Sequence, residues 1–130
     1  RKLLGRVHNV MTHAVPRVAS NASFREVVCE MTDKRLGMTM VYDQLPEGKC
    51  LGIITDGDIR RAIQKHNDVH IVATDVMNPS YKHIAKNALL TDALAVMDTY
   101  NITTLAVTET NETTDVIGII SIHHIIDFQS

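Results

Sequence analysis

The chain repeats itself at a constant offset of 66 residues. Val10 and Met11 recur as Val76 and Met77. Ala19, Asn21 and Ala22 recur as Ala85, Asn87 and Ala88. Met31 returns as Met97 and Val41 as Val107, while Gly52, Ile53 and Ile54 return as Gly118, Ile119 and Ile120. An offset that holds without a gap across such separated matches marks a duplication. The period is too long for a solenoid unit, and two copies are too few for one. Two small half-domains sharing a core is the architecture that satisfies both constraints.

Each copy reads β-α-β-β-α. In the first, Pro16 to Ala19 is a short strand, and Ser23 with Glu26 forms a capping box at the head of a helix. That helix runs to about Lys34, with Phe24, Val27, Val28 and Met31 on one face and Gly37 as its C-terminal stop. Met38 to Tyr42 is a strand, Asp43 to Lys49 a hairpin loop, and Leu51 to Ile54 another strand before a helix ending near His66. The second copy follows the same plan. His83 to Ala85 is the short strand, Leu90, Ala93, Leu94 and Met97 the helix face, Thr104 to Thr108 and Val116 to Ser121 the longer strands. A last helix runs to Phe128. The expected fold class is α+β (α/β), two repeats packed with pseudo-twofold symmetry, because a three-stranded sheet with helices on one face leaves apolar surface on the other. The expected boundaries are a linker from an absent upstream domain over 1–9, with Arg1, Lys2 and Arg6 solvated, repeat 1 over 10–66 and repeat 2 over 76–130. A start at Arg1 rather than methionine suits a piece of something longer.

Composition sets limits on partners. A net charge of −2 on 130 residues gives no basic surface for nucleic acid or membrane, and no run is long enough for a membrane span. Cys29 and Cys50 have no counterparts in the other copy. They read as buried thiols rather than a disulfide, which suits a reducing, cytoplasmic setting.

The chemistry concentrates in Leu51 to Arg61, LGIITDGDIRR. A strand here delivers Thr55, Asp56 and Asp58 to the start of a helix, where free N–H groups and the positive dipole end favour an anion. A hydroxyl and a carboxylate three residues apart suit a ribosyl phosphate: Thr55 to donate to the phosphate, Asp58 to accept from sugar hydroxyls. That Asp56 or Asp58 simply caps the helix is the competing account.

These residues carry a resemblance. The Val-Met starts at Val10 and Val76, the stretch Gly52 to Asp58, the spacing and the strand-helix order together resemble a tandem pair of cystathionine-β-synthase (CBS) domains, a Bateman module. Leu36 to Thr39, Thr55 to Arg61 and Asp75 to Met77 are most similar to the C-terminal CBS pair of D-arabinose 5-phosphate isomerases. The resemblance implies that Thr/Ser-x-x-Asp binds ribose and phosphate of an adenine nucleotide, with the base between strands of the two repeats. It also implies a parent isomerase serving synthesis of the lipopolysaccharide sugar 3-deoxy-D-manno-octulosonate (Kdo), with catalysis in an upstream sugar-isomerase domain, and a homodimer of CBS pairs. The second copy keeps Ser121 but has His124 where the pattern has aspartate, so its site should bind ribose poorly or take something else.

The expected ligand is therefore a nucleotide or nucleotide-sugar, AMP or ATP on one side and CMP-Kdo on the other, with no required cofactor. Arg60 and Arg61 are candidates for a phosphate or sugar carboxylate, since a guanidinium bonds in two places at once. Arg17, Met38, Thr39, His83 and Thr104 complete the candidate ligand-binding set. No metal is expected. His123 and His124 diverge on a helix, and the other histidines have no cysteine partners at zinc spacing. Met31, Met97, Met11 and Met77 read as core, whereas Met38 and Met40 are placed to line the cleft. No nucleophile with a paired base is visible, so a binding module leads, with a stand-alone catalytic domain and a purely structural dimerisation module as the other classes.

Overall fold

The computed structural model of the chain describes residues 4–65 and 70–129; Arg1, Lys2 and the helix end expected at His66 lie outside them. The repeated order is found twice. Strand β1 (Arg17–Ala19), helix α1 (Phe24–Lys34), strands β2 (Met38–Tyr42) and β3 (Cys50–Thr55) and helix α2 (Asp56–Lys65) form the first set. After the short helix α3 (Ala73–Val76) come β4 (His83–Ala85), α4 (Leu90–Tyr100), β5 (Thr104–Thr108), β6 (Val116–Ser121) and α5 (Ile122–Gln129). The sheets are ordered β1-β2-β3 and β4-β5-β6. In each, the first pair is parallel and the second antiparallel. Even the register irregularity is copied, falling at Val41/Tyr42 in one sheet and Val107/Thr108 in the other.

Local chemistry explains the helix ends. The Ser23 hydroxyl accepts from the Glu26 N–H at 3.1 Å, and the Glu26 carboxylate accepts from the Ser23 N–H at 2.9 Å. That backbone bond, then the hydroxyl, holds the Glu26 carboxyl below its ordinary pKa. The C-terminus of α1 differs from expectation. Arg35, not Gly37, turns the chain, at φ 59° with its N–H on the Met31 carbonyl. Asn101 makes the matching turn after α4 at φ 54°. Gly37 also has a left-handed φ, 69°, two residues further on. The buried stripe of α1 is narrower than read: Val27 and Met31 are buried, while Phe24 and Val28 are only partly so. Cys29 is exposed rather than buried, because it lies two residues, about 200° of helix, from Val27.

The lead-in to each repeat does not pack on the repeat it precedes. Two compact units form, one from Pro16–Tyr81, the other from the chain up to Val15 together with the chain from Lys82 onward. In the latter, the 3₁₀ turn Val7–Asn9 joins the second core, with Val7 fully buried among Leu90, Leu105 and Ile120. The Val7 N–H bonds the Ala88 carbonyl at 2.9 Å, and Thr12 and Ile119 exchange both backbone bonds at 2.9 Å. In the other unit Ala73 bonds Ala22, and Asn78 exchanges bonds with Ile53, the same pairings one repeat on. So Val7 belongs to the core and 7–9 is a hydrogen-bonded turn, not a free linker.

Two glycines admit these lead-ins. A Cβ on Gly52 would sit 2.6 Å from the Asn78 carbonyl oxygen, and one on Gly118 would sit 2.8 Å from the Met11 sulfur and 2.9 Å from the Thr12 oxygen. Val18, Val41 and Ile54 face α1 in one core, and Ile84, Val107 and Ile120 face α4 in the other. On the opposite face of each sheet, Met38, Met40 and Ile119 are 0% exposed and Ala106 1%. This is where the end of β3 delivers Thr55, whose register partner is Met38.

Candidate functional site

Thr55 ends β3 and α2 begins one residue later, so the turn needs no linker. The Thr55 N–H donates to Asp58 Oδ2 at 2.9 Å, and its hydroxyl donates to the same oxygen at 3.1 Å. The other carboxylate oxygen, Oδ1, accepts from Arg61 Nη2 at 2.7 Å. The Asp58 side chain is 15% exposed and that of Arg61 69%. The pair is thus preset as a helix cap, and the proton expected for a phosphate is committed to Asp58. What stays available is one well-oriented carboxylate with an exposed cation on its outer oxygen. A sugar diol that displaces the guanidinium meets an acceptor already aimed and already desolvated.

Asp56 belongs to other surroundings. It is exposed at the first position of α2, its N–H bonds the Gly37 carbonyl at 3.1 Å, and it borders a groove of about 290 Å³ with Thr32 and Arg35 on the helical side. Arg60 is exposed.

The second turn repeats the backbone with different chemistry. The Ser121 N–H donates to His124 Nδ1 at 3.2 Å, and the Ser121 hydroxyl accepts from the His123 N–H at 3.1 Å. Because Nδ1 is an acceptor here, the neutral ring carries its proton on Nε2. Burial pushes the His124 pKa below its ordinary value; the Asp127 carboxylate opposes this and His123 adds to it. His124 therefore offers a donor where Asp58 offers an acceptor. The third position along is swapped as well, Asp127 standing where the first copy has Arg61.

The other candidates divide. Met38 is buried beside Thr55, and Thr104 is the register partner of Ser121. Thr39 is not with them. It alternates onto the face of Val41 and Ile54, and its hydroxyl bonds the Met40 carbonyl at 3.1 Å. Arg17 is on the far edge strand, its N–H on Glu30 at 2.9 Å and its guanidinium 5.5 Å from the Tyr42 ring centre. His83 bonds Thr108 at 3.0 Å on edge strand β4, with β5 between it and β6. A larger groove of about 580 Å³ runs by Arg17, but Glu26, Glu30 and Asp33 line it and repel an anion. Among the described residues no group of three or more histidine, cysteine or acidic side chains is placed to hold a metal.

Sequence reasoning assigned Arg61 to a ligand and missed its bond to Asp58. The three-residue helical spacing of opposite charges was the available signal. It also missed Asp127, which the 66-residue offset alone identifies as the counterpart of Arg61.

The chain belongs to the CBS-domain family, whose model matches residues 7–65 and 72–130. Among curated relatives, arabinose 5-phosphate isomerase KpsF of Escherichia coli is 37% identical over 123 residues, covering 94% of this chain and 36% of the relative. Arabinose 5-phosphate isomerase KdsD of Pseudomonas aeruginosa is 36% identical over 129 residues, covering 97% of this chain and 38% of the relative. The chain thus spans little more than a third of the length of these relatives. Of solved structures, the CBS domain pair of protein MJ0100 in complex with 5'-methylthioadenosine and S-adenosyl-L-methionine superposes with a TM-score of 0.82 at 20% identity, covering 97% of this chain and 96% of that one. The CBS domain protein PAE2072 of Pyrobaculum aerophilum, complexed with AMP, gives 0.80 at 21% identity, covering 92% and 89%. At such identities the likeness is one of fold.

Proposed function

We propose that this chain is the regulatory ligand-binding module of a cytoplasmic arabinose 5-phosphate isomerase that feeds Kdo synthesis. Its ligand is a nucleotide or nucleotide-sugar, an adenine nucleotide or CMP-Kdo. The observation that carries this reading is the Thr55–Asp58 turn, a desolvated carboxylate locked in place by two bonds from Thr55. A ribose diol donates to that carboxylate, and the phosphate lies toward the head of α2, where N–H groups and the arginine side chains attract it. Catalysis belongs to an upstream sugar-isomerase domain, and the CBS pair reports ligand binding to it. Similarity to the two isomerases and the nucleotide complexes of the structural neighbours support the same reading.

A homodimer accompanies it. Ile63 on α2 is 61% exposed, and Ile126 and Phe128 on α5 are 53% and 48% exposed. Exposed aliphatic and aromatic side chains on helices fit a protein interface. They also favour the second reading, a purely structural dimerisation module. Calorimetric titration with AMP, ATP and CMP-Kdo separates the two. Saturable binding that Asp58→Ala weakens supports the sensor. A flat titration with all three, alongside a dimer in sedimentation, supports the structural module.

A further inference from the structure

Arg61 has two successive uses in one site, and we propose that it makes the first turn select phosphorylated over unphosphorylated nucleosides. The proposal rests on the reading of Thr55 and Asp58 as a ribose site. The Arg61 guanidinium lies folded back along the first turn of α2. Its Nη2 is 2.7 Å from Asp58 Oδ1, and a Cβ on Gly57 would come within 3.3 Å of Nη1. A cation at a helix N-terminus opposes the helix dipole, so the carboxylate is what holds it there. A ribose that takes Asp58 Oδ1 releases the guanidinium beside the space where a 5'-phosphate lies. A nucleotide then replaces the lost ion pair with a guanidinium–phosphate pair. A nucleoside breaks the same ion pair and returns nothing. Arg61 thereby penalises the bare nucleoside and rewards the nucleotide.

The second turn lacks this device. Asp127 stands in the place of Arg61 and His124 in that of Asp58, so a phosphate there meets a carboxylate and a diol meets a donor.

The test is calorimetric titration of the 130-residue chain with AMP and with adenosine, wild type against Arg61→Gln. AMP should bind about tenfold more weakly to the variant. Adenosine should bind as before or about threefold more tightly. Arg61→Lys should keep part of the preference, since an ammonium is a point charge without the fork. An equal shift for both ligands, or none, overturns the proposal. If Asp58→Ala abolishes binding while Arg61→Gln leaves both affinities intact, the selectivity role of Arg61 fails and the site stands. If the wild-type chain binds neither AMP nor adenosine, the proposal falls, and the site falls with it where CMP-Kdo also fails to bind.

Discussion

At the end of β3 a backbone N–H donates to a carboxylate three residues on; at the end of β6 the matching N–H donates to an imidazole at the same spacing. The scaffold is held constant between the two: strand register, bulge position, lead-in pairing and the close glycine all recur. The side chains differ: anionic Asp58 with cationic Arg61 in the first turn, neutral His124 with anionic Asp127 in the second. Duplication preserved what makes the backbone turn and let the chemistry diverge. A cap needs only an acceptor for one N–H, which either side chain supplies. A ribose site needs a carboxylate with lone pairs to spare, which only Asp58 has.

The comparison is attacked most severely at the shared scaffold. Gly52→Ala and Gly118→Ala each drive a methyl into a lead-in strand and should each cost about 1–3 kcal/mol. Urea melts should give the two variants similar losses. A variant as stable as wild type would mean that the lead-in does not pack as described.

The next largest effect is on ligand. Asp58→Ala should weaken AMP binding about tenfold or more through loss of a charge-assisted bond, and cost about 1 kcal/mol of stability through the lost cap. His124→Ala should lose the cap and leave AMP affinity alone. Equal effects of the two on binding would erase the distinction between the turns.

Restoration sharpens the contrast. His124→Asp combined with Asp127→Arg rebuilds the first turn's charges in the second and should raise calorimetric stoichiometry from one AMP per chain toward two. A stoichiometry unmoved by the swap would place the difference outside these two side chains.

The smallest effect is on pH. The folded state depresses the His124 pKa, so as pH falls the unfolded chain takes up this proton first. The stability contribution is full above the unfolded value, about 6.5, and is lost as pH falls through the folded value. Protonation also turns Nδ1 from acceptor to donor and breaks the Ser121 bond. His124→Gln, which keeps an acceptor, should therefore melt with a shallower loss of stability from pH 7.5 to 5.5 than wild type. Parallel curves would show that the imidazole is not linked to folding.

Much of the architecture was legible because its signals are local. The α4 stripe of Leu90, Ala93 and Met97 follows the helical period, and these three are buried. Ser23 and Glu26 announce a helix start through a bond that spans three residues. A thiol's apolarity favours burial, yet helix phase leaves Cys29 exposed. Glycine adopts a left-handed turn most cheaply, which favours Gly37 as the stop, yet Arg35 takes it where the helix hydrogen bonds end. Thr39 follows Met38 in sequence, yet strand alternation sends it to the opposite face.

From the residues alone came the duplication, the β-α-β-β-α order and the turn that brings a hydroxyl and a carboxylate to a helix head, since each is set by spacing along the chain. Which sheet each lead-in joins was not decidable that way. The repeat makes Ile53 and Ile119 equivalent partners for Thr12, with the same flanking glycine and the same apolar neighbours. Only the tertiary structure chose Ile119, because backbone pairing at an edge is non-local. Likewise it was three-dimensional proximity that gave the outer oxygen of Asp58 to Arg61, an ion pair whose geometry depends on the rotamer of a long exposed side chain rather than on the order of residues.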